Sequence, residues 1–239
     1  MSSAALATRT APALLAVSHG TASPSGAAAV AALVDAVAAR GAVEVHPGFV
    51  DVQQPDVPTV LGALTPGRSS VVVPLLLSAG YHVHVDLAAE AERAPHVVVA
   101  GALGPDDRLV AVLAARLADA GLGPGDAVVL AAAGSSDARA VADCVEMARR
   151  LGVVLGRPVS VGFISAALPR LAEEIQTARQ AHPGRRVVVA SYLLAPGYFA
   201  DLAAGAGGDI TTDPLLVAGG PVAEQLVDIV LERYAAASG

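Results

Sequence analysis

The sequence contains no lysine: its fifteen basic residues are all arginines. This excludes a Walker A phosphate loop, a Schiff-base lysine and a pyridoxal phosphate anchor, each of which needs an ε-amine. Tryptophan is absent and aromatic residues make up only 3% of the chain, so a nucleic-acid surface of stacked rings has little to be built from. A single cysteine, Cys144, rules out a disulfide framework and a cysteine zinc cluster. Charged residues are scarce at 15% and their balance is −7, the wrong sign for holding a polyanion by bulk charge. Long hydrophobic runs are missing too. Residues 71–77 make a strand-length run, far short of a membrane span, and residues 1–12 lack the apolar stretch of a signal peptide. The expectation is a soluble cytoplasmic protein with no nucleic-acid or membrane partner.

What remains is strongly apolar: 54% of the 239 residues are hydrophobic and mean hydropathy is +0.58, enough for one large core or two small ones. Apolar, β-branched runs at 13–18, 43–50, 70–76, 97–100, 127–132, 159–164 and 186–193, with a weaker one near Ile210, predict strands. Stretches rich in Ala, Leu, Arg and Glu at 26–40, 56–64, 85–93, 105–120, 137–151, 169–181, 199–204 and 221–235 predict helices. The strands are continuously apolar, as in parallel sheets covered on both faces. Their alternation with helices gives an α/β doubly wound architecture.

The turn-rich segment 121–125 divides the chain, and the two sides repeat each other. Ser18-His19-Gly20-Thr21 aligns with Ala132-Ala133-Gly134-Ser135, Gly48-Phe49-Val50-Asp51 with Gly162-Phe163-Ile164-Ser165, and Pro55 with Pro169, all at an offset of 114 residues. Ala79-Gly80-Tyr81-His82 aligns with Pro196-Gly197-Tyr198-Phe199 at an offset of 117. A constant offset across separate anchors implies internal duplication, with halves at 12–122 and 126–238. Glycines, prolines and strand residues persist in both copies, because the fold needs them. Three polar groups do not: His19 becomes Ala133, Asp51 becomes Ser165, and His82 becomes Phe199. Two imidazoles and a carboxylate form a metal-ligand and proton-transfer set. Each follows or ends a predicted strand, and the carboxyl ends of parallel strands are where such sheets bind ligands. His84 lies two residues beyond His82, where it could contact a substrate or simply start a helix in solvent. Glu44 and His46 on the second strand could approach the same rim. Cys144, in a predicted helix of the second half, reads as a small core or surface residue.

Leu15-Ala-Val-Ser-His-Gly-Thr21, Gly48-Phe-Val-Asp51 with Pro55, and Val73-Pro-Leu-Leu-Leu-Ser-Ala-Gly-Tyr-His-Val-His-Val-Asp86 resemble the sirohydrochlorin chelatases, the class II chelatases of sirohaem and cobalamin synthesis. Ala131-Ala-Ala-Gly-Ser-Ser-Asp137 and Val188-Val-Ala-Ser-Tyr-Leu-Leu-Ala-Pro-Gly-Tyr198 are similar to the second half of the long, two-domain members. The resemblance implies a chelatase-like α/β fold of two tandem flavodoxin-like halves across a cleft. It implies a lyase that inserts a divalent metal, Fe²⁺ or Co²⁺, into sirohydrochlorin with release of two protons. Iron is favoured as the broader need, and no prosthetic group is expected. The family's two metal-binding histidines fall on His19 and His82. Asp51 takes the position of a customary Glu, one methylene shorter. The anionic macrocycle needs hydrogen-bonding or positive groups: Ser18, Gly20, Tyr81 and His84 flank the imidazoles, and Arg68 and Arg93 are the basic candidates. A monomer suffices, because the chain carries both halves. The alternative is a tetrapyrrole or metal carrier, or a scaffold, that binds through the same residues without turnover.

Overall fold

The computed structural model describes residues 11–78, 87 and 94–239. They form two four-stranded, wholly parallel sheets. The first has strands β1 (Ala13–Ser18), β2 (Val45–Phe49), β3 (Ser70–Pro74) and β4 (Val97–Val99), in the order β2-β1-β3-β4. The second has β5 (Ala127–Ala132), β6 (Val159–Phe163), β7 (Val187–Tyr192) and β8 (Ile210–Thr211), in the order β6-β5-β7-β8. The repeated order is the duplication made visible. The register sets Ser18 beside Phe49 and Val17 beside Pro74, so the carboxyl ends of β1, β2 and β3 lie level at one rim.

Seven helices occur among the described residues: α1 (Pro24–Arg40), α2 (Val57–Ala63), α3 (Asp107–Asp119), α4 (Ala138–Leu155), α5 (Leu171–Ala181), α6 (Tyr198–Ala204) and α7 (Glu224–Ala237). Their starts follow from side chains that satisfy the free N–H groups of a first turn. Ser23 accepts from Gly26 N, Asp56 from Thr59 N, Asp106 from Arg108 N and Asp137 from Arg139 N. The expected helix over 85–93 lies outside the described residues.

Alternation along the strands divides their side chains between two environments. On β1, Leu14 and Ala16 face a central core while Ala13, Leu15 and Val17 face an outer one. On β5, Val128, Leu130 and Ala132 face the same central core, and Ala127, Val129 and Ala131 face outward. The central core is filled by α1, α3, α4 and α7 and is common to both sheets. The outer faces are covered by α2 on the first sheet and by α5 and α6 on the second.

The last helix of each half crosses to the other. α3 follows the first sheet but packs on α4 and β7 of the second half. α7 follows the second sheet but packs on α1 and β3 of the first. Leu109, Leu113 and Leu117 recur every four residues on α3 and are fully buried, which is the helical spacing of a core-facing stripe. Polar links secure the exchange. Tyr234 Oη donates to Pro12 O at 2.7 Å, Arg233 Nε to Ala102 O at 2.9 Å, Arg150 Nη1 pairs with Asp107 at 3.0 Å, and Arg40 pairs with Asp228. The division at 121–125 therefore separates the strands of the two halves but not their terminal helices. No helix among the described residues is long and apolar enough to cross a membrane.

Candidate functional site

A cleft of about 770 Å³ opens between the carboxyl ends of the two sheets. The first half contributes residues 18–22, Val52 and residues 75–78; the second contributes 132–136, Ser165, Ala166 and 192–199. Val30 of α1 and Ala140 and Cys144 of α4 also line it. The walls are mostly apolar, with hydroxyls and backbone N–H groups at the turns.

His19 is exposed and lines this cleft. Its position is fixed by the turn that follows β1. Asp51 N donates to His19 O at 3.0 Å, Val50 N to Ser18 O at 2.9 Å, and Thr21 N to Gln53 Oε1 at 2.8 Å. Gly20 has φ +94°, and a Cβ there would lie within 3.0 Å of Asp51 O. Only glycine fits, for both reasons. The facing turn carries Val52 at φ 64°, a left-handed conformation that costs a β-branched residue of order 1–2 kcal/mol.

The second half keeps this frame. Gly134 has φ +93° and meets Ser165 O in the same way. Ser165 N donates to Ala133 O at 2.9 Å, and Ala166 has φ 53°. Gln53 N–Asp51 O and Ala167 N–Ser165 O both measure 2.6 Å. The same scaffold thus presents His19 and Asp51 in one copy, and Ala133 and Ser165 in the other.

The expected site residues are placed unequally. Ser18 and Gly20 line the cleft with His19. Asp51 is exposed on the neighbouring strand end, but its Oδ1 accepts from Val52 N at 2.7 Å, and the cleft wall there is formed by Val52. Tyr81, His82, His84 and Arg93 lie outside the described residues. Arg68 lies away from the cleft. It precedes β3, at the amino end of the sheet, and its Nη2 lies 3.6 Å from Glu44. Glu44 precedes β2 at the same end and pairs with His46 at 2.9 Å. These three belong to the edge opposite the cleft, because they precede or begin their strands and the cleft lies at the carboxyl ends. Among the described residues no three His, Cys, Asp or Glu side chains gather as a metal-binding group.

Sequence reasoning missed one group in the wall, Tyr192, and read the other, Cys144, as a small core or surface residue. Tyr192, at the end of β7, is buried and its hydroxyl donates to Leu77 O across the halves at 2.8 Å. Burial holds its phenol well above the usual value. Cys144 is 5% exposed. Burial, with the Asp143 charge adding and a Ser78 hydrogen bond opposing, pushes its thiol up to about 12, so at neutral pH it stays a thiol rather than the nucleophilic thiolate. The sequence signal for Tyr192 was faint: an aromatic at the end of an apolar strand.

Two duplicated parallel sheets facing each other across a cleft at their carboxyl edges, with an imidazole on one wall only, define a two-half, chelatase-like α/β protein. The model of the CbiX family matches residues 13–120 and 127–202, and the chain belongs to that family. Among solved structures it is similar to SirB from Bacillus subtilis with Fe³⁺, at 22% identity and a TM-score of 0.75, with 96% of each chain covered. The sirohydrochlorin chelatase SirB from Bacillus subtilis subspecies spizizenii, in complex with cobalt, matches at 19% identity and a TM-score of 0.71, again over 96% of each chain. CbiX, the terminal enzyme for biosynthesis of siroheme in denitrifying bacteria, matches at 20% identity and a TM-score of 0.59, over 95% of this chain and 100% of that one. At these identities the likeness is one of fold. No curated protein matches in sequence.

Proposed function

We propose that this protein is a sirohydrochlorin metal chelatase. It inserts a divalent ion, ferrous iron in preference to cobalt, into the tetrapyrrole with release of two protons, in sirohaem or cobalamin biosynthesis. One observation carries the reading: in a member of the CbiX family, a single frame built twice holds an imidazole on the cleft wall in one copy and alanine in the other. Neutral imidazole has the basicity to take a pyrrole proton near neutral pH. It also binds Fe²⁺ or Co²⁺ without the closed cage that would retain them. His19 and His82 are the proposed pair that receives the metal and the protons. Asp51, on the strand end next to His19, is the proposed source of negative charge at this rim. The apolar walls take the face of the macrocycle, and its anionic rim meets the hydroxyls and N–H groups of the turns, Ser18 and Gly20 among them. The second half is then a cleft wall that has lost its own site, and one copy of the chain suffices in the cytoplasm.

The test is metal insertion by purified protein, followed by the absorbance change of sirohydrochlorin. His19→Ala should lower the rate by about 10²–10⁴-fold, the range for removing a positioned proton acceptor, while metal-free macrocycle still binds. An unaltered rate in that variant refutes the assignment.

A further inference from the structure

The chain has three Phe and four Tyr. Of the six that are described, Phe163, Tyr192 and Tyr234 are buried and Phe49 is half-buried in β2. The other two are adjacent. Tyr198 is 71% exposed and Phe199 39%, both line the cleft, and their rings stand edge to face with centroids 5.9 Å apart at 86°. Large apolar side chains kept in water beside an apolar cavity mark a place where something flat and apolar binds. Val52, 58% exposed, lines the same cleft from the first half.

The pair is held in register with His19. The turn before it, Pro196-Gly197, packs on the β1–α1 turn of the first half. A Cβ on Gly26 would lie within 3.0 Å of Pro196 O, and one on Gly197, at φ +143°, would lie 3.3 Å from Thr21 Oγ1. Glycine at both positions lets the turn that carries the aromatics rest on the turn that carries the imidazole. In the internal repeat Tyr198 and Phe199 occupy the positions of Tyr81 and His82. The second copy thus replaces an imidazole with a ring that can neither take a proton nor bind a metal, but can stack.

We infer that Tyr198 and Phe199 are positioning residues that seat the π-face of the macrocycle in the cleft, so that its central nitrogens are presented to His19. The inference rests on the proposed sirohydrochlorin reading and assigns the second half a part in binding substrate. Aromatic side chains contact a planar ring favourably either by face or by edge, and Tyr198 and Phe199 both line the cleft. The anionic rim remains at the open mouth.

The experiment compares wild type, a Tyr198→Ala/Phe199→Ala variant and a conservative Tyr198→Phe/Phe199→Tyr variant. It reads the dissociation constant for metal-free sirohydrochlorin from fluorescence quenching, and the KM for macrocycle and for metal separately. The alanine pair should weaken macrocycle binding and raise its KM by roughly tenfold. The metal KM should stay within about twofold, and the conservative pair should bind as wild type does. Macrocycle binding unchanged in the alanine pair, or a defect confined to metal, overturns the inference. So does a wild-type dimer that the alanine pair converts to monomer without loss of binding, which would assign the rings to self-association. Wild type that neither binds nor metallates sirohydrochlorin removes the proposed function and this seat together; wild type that does both, matched by the alanine pair, removes the seat alone.

Discussion

Gly104 offers a sharp test of how the two halves are joined at the cleft floor. It is buried and does not have a left-handed backbone, so alanine is conformationally acceptable there, and space is the sole obstacle. A Cβ would lie within 3.0 Å of both Tyr192 Oη and Leu77 O, the two atoms of the hydrogen bond that spans the halves at 2.8 Å. Gly104→Ala must push that bond apart. Losing the bond costs about 1 kcal/mol, and forcing an extra methyl into a packed site adds about 1–3 kcal/mol, so the total is about 2–4 kcal/mol. Tyr192→Phe loses only the bond, about 1 kcal/mol. The double variant then has no bond to lose and one obstruction fewer. It should be less destabilised than the sum of the single changes by about 1 kcal/mol. Urea unfolding of all four proteins measures the cycle. Strict additivity, or a Gly104→Ala protein as stable as wild type, would show that the methyl and the hydroxyl do not compete for this space.

Other consequences are as direct. Asp106 caps α3 and meets Arg108 at 2.8 Å and, from α7, Arg233 at 3.2 Å. Burial opposes ionisation, but the Arg108 hydrogen bonds and the two guanidinium charges outweigh it and hold the carboxyl below its usual value. The unfolded chain therefore binds a proton at higher pH than the folded one does. This contribution to stability is present above about pH 4 and is lost as the pH falls through the folded value. Asp106→Asn should flatten the acid limb of stability against pH, and an unchanged limb would contradict the assignment. The Cys144 thiol, shielded and pushed up to about 12, should resist a maleimide at pH 8 until the protein unfolds; rapid labelling of the native protein would show an open path to it. Arg68→Ala should leave the macrocycle KM unchanged, since its side chain pairs with Glu44 at the far end of the sheet. A raised KM would return Arg68 to the cleft.

Much of this architecture is legible in the residues. β1 and β5 occupy the spans their apolar runs predict, because buried parallel strands leave no polar position to blur the edges. The repeat offset of 114 foretold the shared sheet order. Helix ends were less clear. α4 runs past Leu151 to Leu155, since Gly152 is tolerated inside it and the left-handed Gly156 ends it. α3 begins at Asp107, after its cap, two residues beyond the expected Pro105. The exchange of terminal helices was invisible, because an apolar stripe states that a helix is buried and not against which sheet. Within the site, His19 could be found by comparing the two copies. Tyr198 and Phe199 could not, because the comparison sought what the second copy had lost rather than what stood there instead.

The crossing of α3 and α7 has a further bearing on the molecule's history and handling. Each lobe roofs its neighbour, so neither is a finished globule. Severing the link near residue 123 would free no independent catalytic lobe; the pieces would hold together as interlocked partners. The strands of the first sheet need the chain's final helix as their cover, so the second half cannot be dispensed with even though it carries alanine where the first carries His19. With both crossing helices seated in one core, the two walls of the cleft stand on a single packed foundation.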